Sequence, residues 1–303
     1  MTNEALVSVV VITYNSAAFV TETLDSIARQ TYPNIELVVS DDCSRDDTVE
    51  VVRQWMEKNR ERFAGCVIRA GEENLGIPKN LNAGIRKASG RYIKIIAGDD
   101  LLLPDCIRVN VDGCAEKNSR YLFTWLEKFS DGENGRKFWS EAPNPAFFEA
   151  DAAGQYAMLL RKNWVYGPLF FCEKAFLEEM GMYDERYRML EDYPMWLKMT
   201  KAGHKLHFVH VPTVAYRISE SSVSNSAGVR VVNENYFRCY RQFFYDQIFP
   251  ELLRRGKLLK LLLHWRDFAY RWLILALGND RGKASVRLAE YFHQRKYLPG
   301  RGN

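Results

Sequence analysis

The sequence is poor in the residues that staple small or secreted proteins. Its six cysteines, Cys43, Cys66, Cys106, Cys114, Cys172 and Cys239, are scattered with no CxxC pair, which excludes a disulfide framework and a zinc site and fits reduced thiols. Glycine-rich phosphate loops are missing too. Neither GxGxxG after the first strand nor GxxxxGK(S/T) occurs, so Rossmann dinucleotide binding and P-loop chemistry lack their cradles. No apolar run is long enough for a bilayer: Leu258 to Leu277 is broken by Lys260, His264, Arg266, Asp267 and Arg271. Met1 is followed by polar Thr2-Asn3-Glu4 instead of a signal-peptide pattern, and the chain is expected to stay in the cytoplasm. His204, His207 and His210 share a strand-like stretch whose side chains alternate, so His207 is expected to point away from the other two and no metal site is read there. Asp41 to Asp47 lacks the glycine and spacing of a calcium loop.

What is present is an ordinary globular composition, 303 residues at 47% hydrophobic and 26% charged, which excludes disorder as the main state and allows one large domain or two packed ones. The net charge of +4 is uneven. Residues 251–303 carry twelve Lys+Arg against four Asp+Glu, and residues 1–250 carry thirty against thirty-four. A basic tail suits nucleic acid, an anionic membrane surface or an acidic lipid-linked acceptor; the acidic balance of the remainder argues against nucleic acid.

The run Leu6 to Ile12 is β-branched and almost wholly apolar, as in a strand buried on both faces of a parallel sheet. Helical spacing follows from Ala18 to Gln30, a second strand spans Ile35–Ser40, and a helix follows Asp46-Asp47, which cap it. Cys66–Arg69, Lys79–Ala88 and Arg91–Ile96 continue as strand, helix and strand. This alternation predicts a doubly wound α/β sheet whose ligands bind beyond the carboxyl ends of the strands. After Pro104 the pattern predicts a helix over 106–117, a hairpin between Phe129 and Phe138, a helix from Asp151, a break at Gly167-Pro168, helices at 173–180 and from Glu191, a strand over 205–211, a polar loop over 216–226, and a largely helical remainder.

Asp41-Asp42 and Asp99-Asp100 each follow a strand, and Glu191-Asp192 opens a helix. The first two pairs are expected on one sheet edge. Carboxylates gathered there repel unless a cation lies between them, and a hard ion such as magnesium or manganese prefers carboxylate and phosphate oxygen.

Val7–Asn15, Asp41-Asp42-Cys43-Ser44, Asn74-Leu75-Gly76-Ile77-Pro78-Lys79-Asn80, Gly98-Asp99-Asp100 and Glu191-Asp192 resemble, in order and spacing, the family 2 glycosyltransferases of GT-A fold. The resemblance covers residues 5 to about 225. It implies a doubly wound mixed sheet with a Rossmann-like nucleotide-binding half at 1–103, an acceptor-binding half at 104–228, and a helical C-terminal region at 229–303. It implies inverting transfer of a sugar from a nucleotide-sugar, usually a UDP-sugar, to an acceptor hydroxyl. By position, Thr13, Tyr14 and Asn15 resemble the end of the strand lining the base pocket, with Tyr14 stacking on uracil. Asp42 resembles the carboxylate accepting the uracil N3 proton, and Lys79 a basic residue near base or phosphates. Asp99 would contact the ribose, Asp100 would bind Mn2+ or Mg2+ bridging the diphosphate, and Asp192 would be the catalytic base. Tyr216 to Ser224 resembles a loop that closes over the diphosphate, with Arg217 a candidate for the phosphates. Ser219 stands where many relatives carry a histidine.

Trp125, Trp139, Trp164 and Tyr166 are candidate sugar-stacking faces that could equally be core. The expected function is a metal-assisted inverting glycosyltransferase acting on a glycan or lipid-linked acceptor in surface polysaccharide or lipopolysaccharide assembly. The rival is a catalytically silent nucleotide-sugar binding scaffold for a partner transferase. The C-terminal helices leave three readings open: peripheral contact with the inner face of the plasma membrane, a cap on the catalytic domain, or a homodimer contact.

Overall fold

A strand buried on both faces calls for apolar residues, and Val7–Thr13 (β1) supplies them at all but Ser8 and Thr13, whose hydroxyls bond to Glu36 and Asp41. In the computed structural model, which describes residues 4–132, 135–140, 144–219 and 230–295, this strand lies among the parallel strands of the sheet. The other strands are β2 (Ile35–Asp41), β3 (Gly65–Ala70), β4 (Tyr92–Ala97), β5 (Leu101–Leu102), β6 (Tyr121–Gly132), β7 (Gly135–Trp139), β8 (Phe170–Glu173) and β9 (Phe208–Arg217). Their order is β3-β2-β1-β4-β8-β6-β9-β5, with β7 paired to β6. Among the helices, α1 (Val20–Ala28), α2 (Thr48–Asn59) and α3 (Ile77–Lys87) connect the parallel strands. Then follow α4 (Cys106–Glu116), α5 (Pro145–Glu149), α6 (Ala152–Leu159), α7 (Lys174–Glu179) and α8 (Asp192–Lys201).

Strands β1 to β4 pair in parallel, and β8 joins β4 and β6 antiparallel to both. In register, Thr13 lies level with Asp41, and Ile12 with Ala97. The turns after β1, β2 and β4 therefore leave the same sheet edge, as expected for Asp41-Asp42 and Asp99-Asp100. The architecture is the expected mixed α/β sheet with helices at the C-terminus.

Strands β5 and β8, of two and four residues, escape sequence reading because neither is long enough to show a period. The strand expected over 205–211 instead runs from Phe208 to Arg217. Pro212 is the reason: a proline argues against a continuing strand, yet here it pairs with Trp125 where the register shifts. Tyr216 and Arg217 thus end a strand instead of opening a loop, and the expected loop from Glu220 onward lies outside the described residues. With the strand starting at Phe208, strand alternation does not govern the histidines before it. His204 and His207 both meet the Tyr121 ring, at centroid distances of 6.1 and 5.9 Å.

The chain divides into two compact units, the first ending at Arg217 and the second starting at Ile218. The second contains α9 (Glu234–Phe243), a π-helical turn Phe244–Ile248, α10 (Phe249–Arg254), α11 (Leu258–Ala276) and α12 (Ala284–Arg295). Its core is aromatic, with Phe268 crossing Phe244 at 5.0 Å and Phe237 at 5.8 Å. Among the described residues no helix is long and apolar enough to cross a membrane.

Helix α8 carries Asp192 and is fixed by Trp196, which is wholly buried. Its ring meets Phe123 at 4.8 Å and Phe170 at 4.9 Å, and its indole N–H donates to the Val165 carbonyl at 3.2 Å. Trp196→Ala is expected to remove about 3–5 kcal/mol of stability, measured as a lowered urea midpoint followed by circular dichroism.

Candidate active site

The turns after β1 and β2 are tied to each other. Thr13 Oγ1 donates to Asp41 Oδ1 at 2.8 Å, and Asp41 Oδ2 accepts the Ser44 N–H at 2.8 Å. Asn15 sits at a φ of 51°, a left-handed value that asparagine tolerates, and from there its N–H reaches Ser44 Oγ at 2.8 Å. Its Oδ1 accepts the Arg45 N–H, also at 2.8 Å. Thr13 and Asn15 are thus spent on scaffold bonds, while the Tyr14 ring between them is 48% exposed.

Asp42 is buried, and both of its oxygens accept backbone N–H groups, from Leu75 at 2.7 Å and Gly76 at 2.8 Å. The gripped loop is itself docked. Ile77 N–H donates to the Arg188 carbonyl at 2.9 Å, and Arg188 Nη2 donates to the Asn74 carbonyl at 2.6 Å. Gly76 has a φ of 89°, and an added Cβ would lie 2.6 Å from the Arg188 oxygen, so only glycine lets the segment leading to Asp192 approach. Lys79 is exposed in the first turn of α3.

The turn after β4 holds two adjacent acids, Asp100 buried and Asp99 partly so. Burial pushes the Asp100 carboxyl well above the usual range and the charge of Asp99 adds to the shift; Asp99 is raised by burial too. Arg217, 2% exposed, is the local counter-charge. Its N–H donates to Asp100 Oδ1 at 2.8 Å and its Nε–H to the Asp99 carbonyl at 2.8 Å. Nη2 donates to Glu22 at 3.1 Å, Nη1 pairs with Asp131, and the Phe19 and Phe129 rings lie 4.7 and 4.5 Å away. Every nitrogen of the guanidinium is occupied. The residue expected to reach phosphates is, in this structure, the brace of the acidic turn.

Glu191 and Asp192 form a second half-buried pair. Asp192 Oδ2 accepts from Asn163 Nδ2 at 2.8 Å and Oδ1 from the Tyr193 N–H at 2.5 Å. Burial raises Asp192 to about 6 despite these bonds, and burial plus the neighbouring charge of Asp192 raises Glu191 to about 8. Desolvation is the larger cause of the upward shift in both. The Gly167–Leu169 turn backs the pair, since a Cβ at Gly167 would stand 2.9 Å from Glu191 Oε1. Behind it the wholly buried Lys94 of β4 donates to the Pro168 carbonyl at 2.6 Å.

Contacts join the three acidic segments in a chain. Asp42 holds the loop on which Arg188 docks, just before Asp192; Gly167 abuts Asp192; Tyr166 meets the Tyr216 ring at 5.7 Å; and Arg217 holds Asp100. Asn163, Lys94, Arg188, Glu22 and Asp131 were not singled out in the sequence. Only a charged residue in the apolar run of β4 flagged one of them, Lys94. Of the candidate stacking rings, Trp125 is core at 7% exposed, Lys162 lies 3.8 Å from the Trp164 ring, and Trp139 is 39% exposed on the hairpin. No group of three metal-ligating side chains occurs among the described residues. On the acidic turn Asp100 would be the residue to hold a hard cation: its Oδ1 accepts the Arg217 N–H, no bond to its Oδ2 is seen among the described residues, and a buried carboxylate with raised proton affinity gains from a positive charge.

Residues 8–165 match the family model of Glycosyl transferase family 2. TuaG of Bacillus subtilis, named as a teichuronic acid biosynthesis glycosyltransferase, is 28% identical over 229 residues, covering 75% of this chain and 84% of its own. The succinoglycan biosynthesis protein ExoO of Rhizobium meliloti is 31% identical over 231 residues, covering 72% of this chain and 62% of its own. Among solved structures, Staphylococcus aureus TarS 1-349 in complex with UDP-GlcNAc superposes with a TM-score of 0.59 at 22% identity, covering 78% of this chain and 65% of that one. The chain thus spans less than two thirds of ExoO and of this TarS fragment, and the TarS likeness establishes a shared GT-A type fold. With the family model matched over more than half its length, the chain belongs to glycosyl transferase family 2 and is a glycosyltransferase.

Proposed function

We propose that the chain transfers a sugar, with inversion, from a nucleotide-sugar, most simply a UDP-sugar, to a hydroxyl of a glycan or lipid-linked acceptor in surface polysaccharide assembly. The observation that carries this reading is the Asp192 carboxylate itself, half-buried at the head of α8 and held in one orientation by the Asn163 amide at 2.8 Å, in the chain of contacts that also links Asp42 and Asp100. A general base works best with a proton affinity near the working pH, and burial moves Asp192 up toward it. Asp192 takes the acceptor hydroxyl proton as that oxygen forms its bond to the anomeric carbon. The bond to the diphosphate breaks, its electron pair leaves with the nucleoside diphosphate, and the proton stays on Asp192.

On the donor side, the exposed Tyr14 ring offers a stacking face for a base, and Asp42, whose N–H donates to the Thr13 carbonyl at 2.9 Å, would accept a proton from that base. Asp99 would reach the ribose, and Lys79 is placed to attract phosphate. Asp100 would hold manganese or magnesium, which when bound would neutralise charge on the departing diphosphate. The names of TuaG and ExoO, and the UDP-GlcNAc held by TarS, support the substrate class without identifying the sugar.

Asp192→Asn is expected to lower kcat by about 100- to 10,000-fold while UDP affinity, read by calorimetry, stays unchanged; near-normal turnover would remove the base assignment. Because the base must be ionised, kcat/KM of the wild type should drop about tenfold per pH unit below about 6 and level off above it. Arg217→Lys keeps the charge but loses the fork, and should weaken manganese affinity by about 10–100-fold, measured by metal titration of nucleoside diphosphate release.

A further inference from the structure

Helix α11 leaves six large apolar side chains in solvent: Leu258 is 61% exposed, Leu259 71%, Leu262 58%, Trp265 43%, Trp272 51% and Leu273 49%. They are ordered along the helix. Leu258, Leu262, Trp265, Ala269, Trp272 and Ala276 follow at steps of four, three, four, three and four residues, the spacing of a single lengthwise line, and Leu259 and Leu273 widen it. Packing within the unit accounts for the other side of the helix, where Leu261, His264 and Phe268 are buried. An apolar band of this length on an otherwise packed helix marks a contact surface.

Charge selects the occupant. Of the four acids after residue 250, Glu251 pairs with Arg254 and Arg255 at 2.6 Å, Asp267 with Arg266 at 2.9 Å, and Glu290 with Arg281 at 3.6 Å. The carboxylate of the fourth, Asp280, accepts the Gly282 N–H at 2.7 Å. Against these stand twelve Lys and Arg in the same stretch, among them Lys257 at the head of the band. A second copy of the chain would bring the same positive surplus against itself, whereas a sheet of anionic headgroups complements it. Tryptophans at positions 265 and 272, one above the other, suit the boundary between headgroup and acyl chain.

We propose that α11 is a membrane-surface helix that lies flat on an anionic bilayer, its Leu258–Trp272 band in the headgroup boundary and its flanking basic residues toward lipid phosphates. This surface is independent of the sugar-transfer reading.

The test uses the full chain with vesicles of phosphatidylcholine, with and without phosphatidylglycerol. Co-sedimentation is expected only with the anionic vesicles, with a blue-shifted tryptophan emission and loss at high salt. Leu262→Glu with Trp265→Glu should weaken binding by about tenfold or more, and Lys257→Glu should weaken it with the apolar band intact. Cleavage of a soluble donor should be unchanged in both variants, so failure here is separable from failure of the sugar-transfer assignment. No binding by the wild type, binding indifferent to both variants, or a solution dimer that Leu262→Glu with Trp265→Glu makes monomeric would overturn the proposal.

Discussion

Two carboxylates side by side at the end of a buried strand are the constraint around which the first unit is arranged. Burial raises the proton affinity of Asp100, and the charge of Asp99 raises it further. The fold answers with Arg217 at the end of β9, whose partner β5 starts directly after the acidic turn, and Glu22, Asp131 and two aromatic rings hold its side chain. The guanidinium therefore faces two carboxylates besides the acidic turn, and the turn is not fully neutralised. That residual charge is what the proposed metal would meet.

The second acidic pair is handled by different means. Around Glu191 and Asp192 desolvation is met by hydrogen bonds to Asp192 from Asn163 and the Tyr193 amide, and burial raises the proton affinity of both acids. Environment rather than residue type sets the proton affinity of these neighbours. The rigid backing comes from the sheet, where Lys94 satisfies its buried ammonium on the Pro168 carbonyl.

Much of this was readable before any coordinates. β1, β2 and β4 announce themselves because burial on both faces forces unbroken runs such as Val7–Ile12, and the acids stand out because they end those runs. Asp42, Asp100 and Asp192 stand out by position along such elements, and contacts link the segments that carry them, while their roles rest on proposal. Arg217 was found as well, with a different task, because a residue's partners are invisible when they lie 86 and 195 positions away, as Asp131 and Glu22 do. The four-residue β8, inserted between β4 and β6, has no period to detect, and Pro212 hid the continuation of β9. Asn163 carried no signal at all: an asparagine after a helix reads as a turn residue until its amide is seen on a carboxylate.

The position of Arg217 at the seam of the chain has a mechanical side. It is the last residue of the first unit, and Ile218 is the first of the second, so the covalent tether between them starts at the brace of the acidic turn. Any pull along that tether enters the first unit through the same backbone whose N–H is bonded to Asp100.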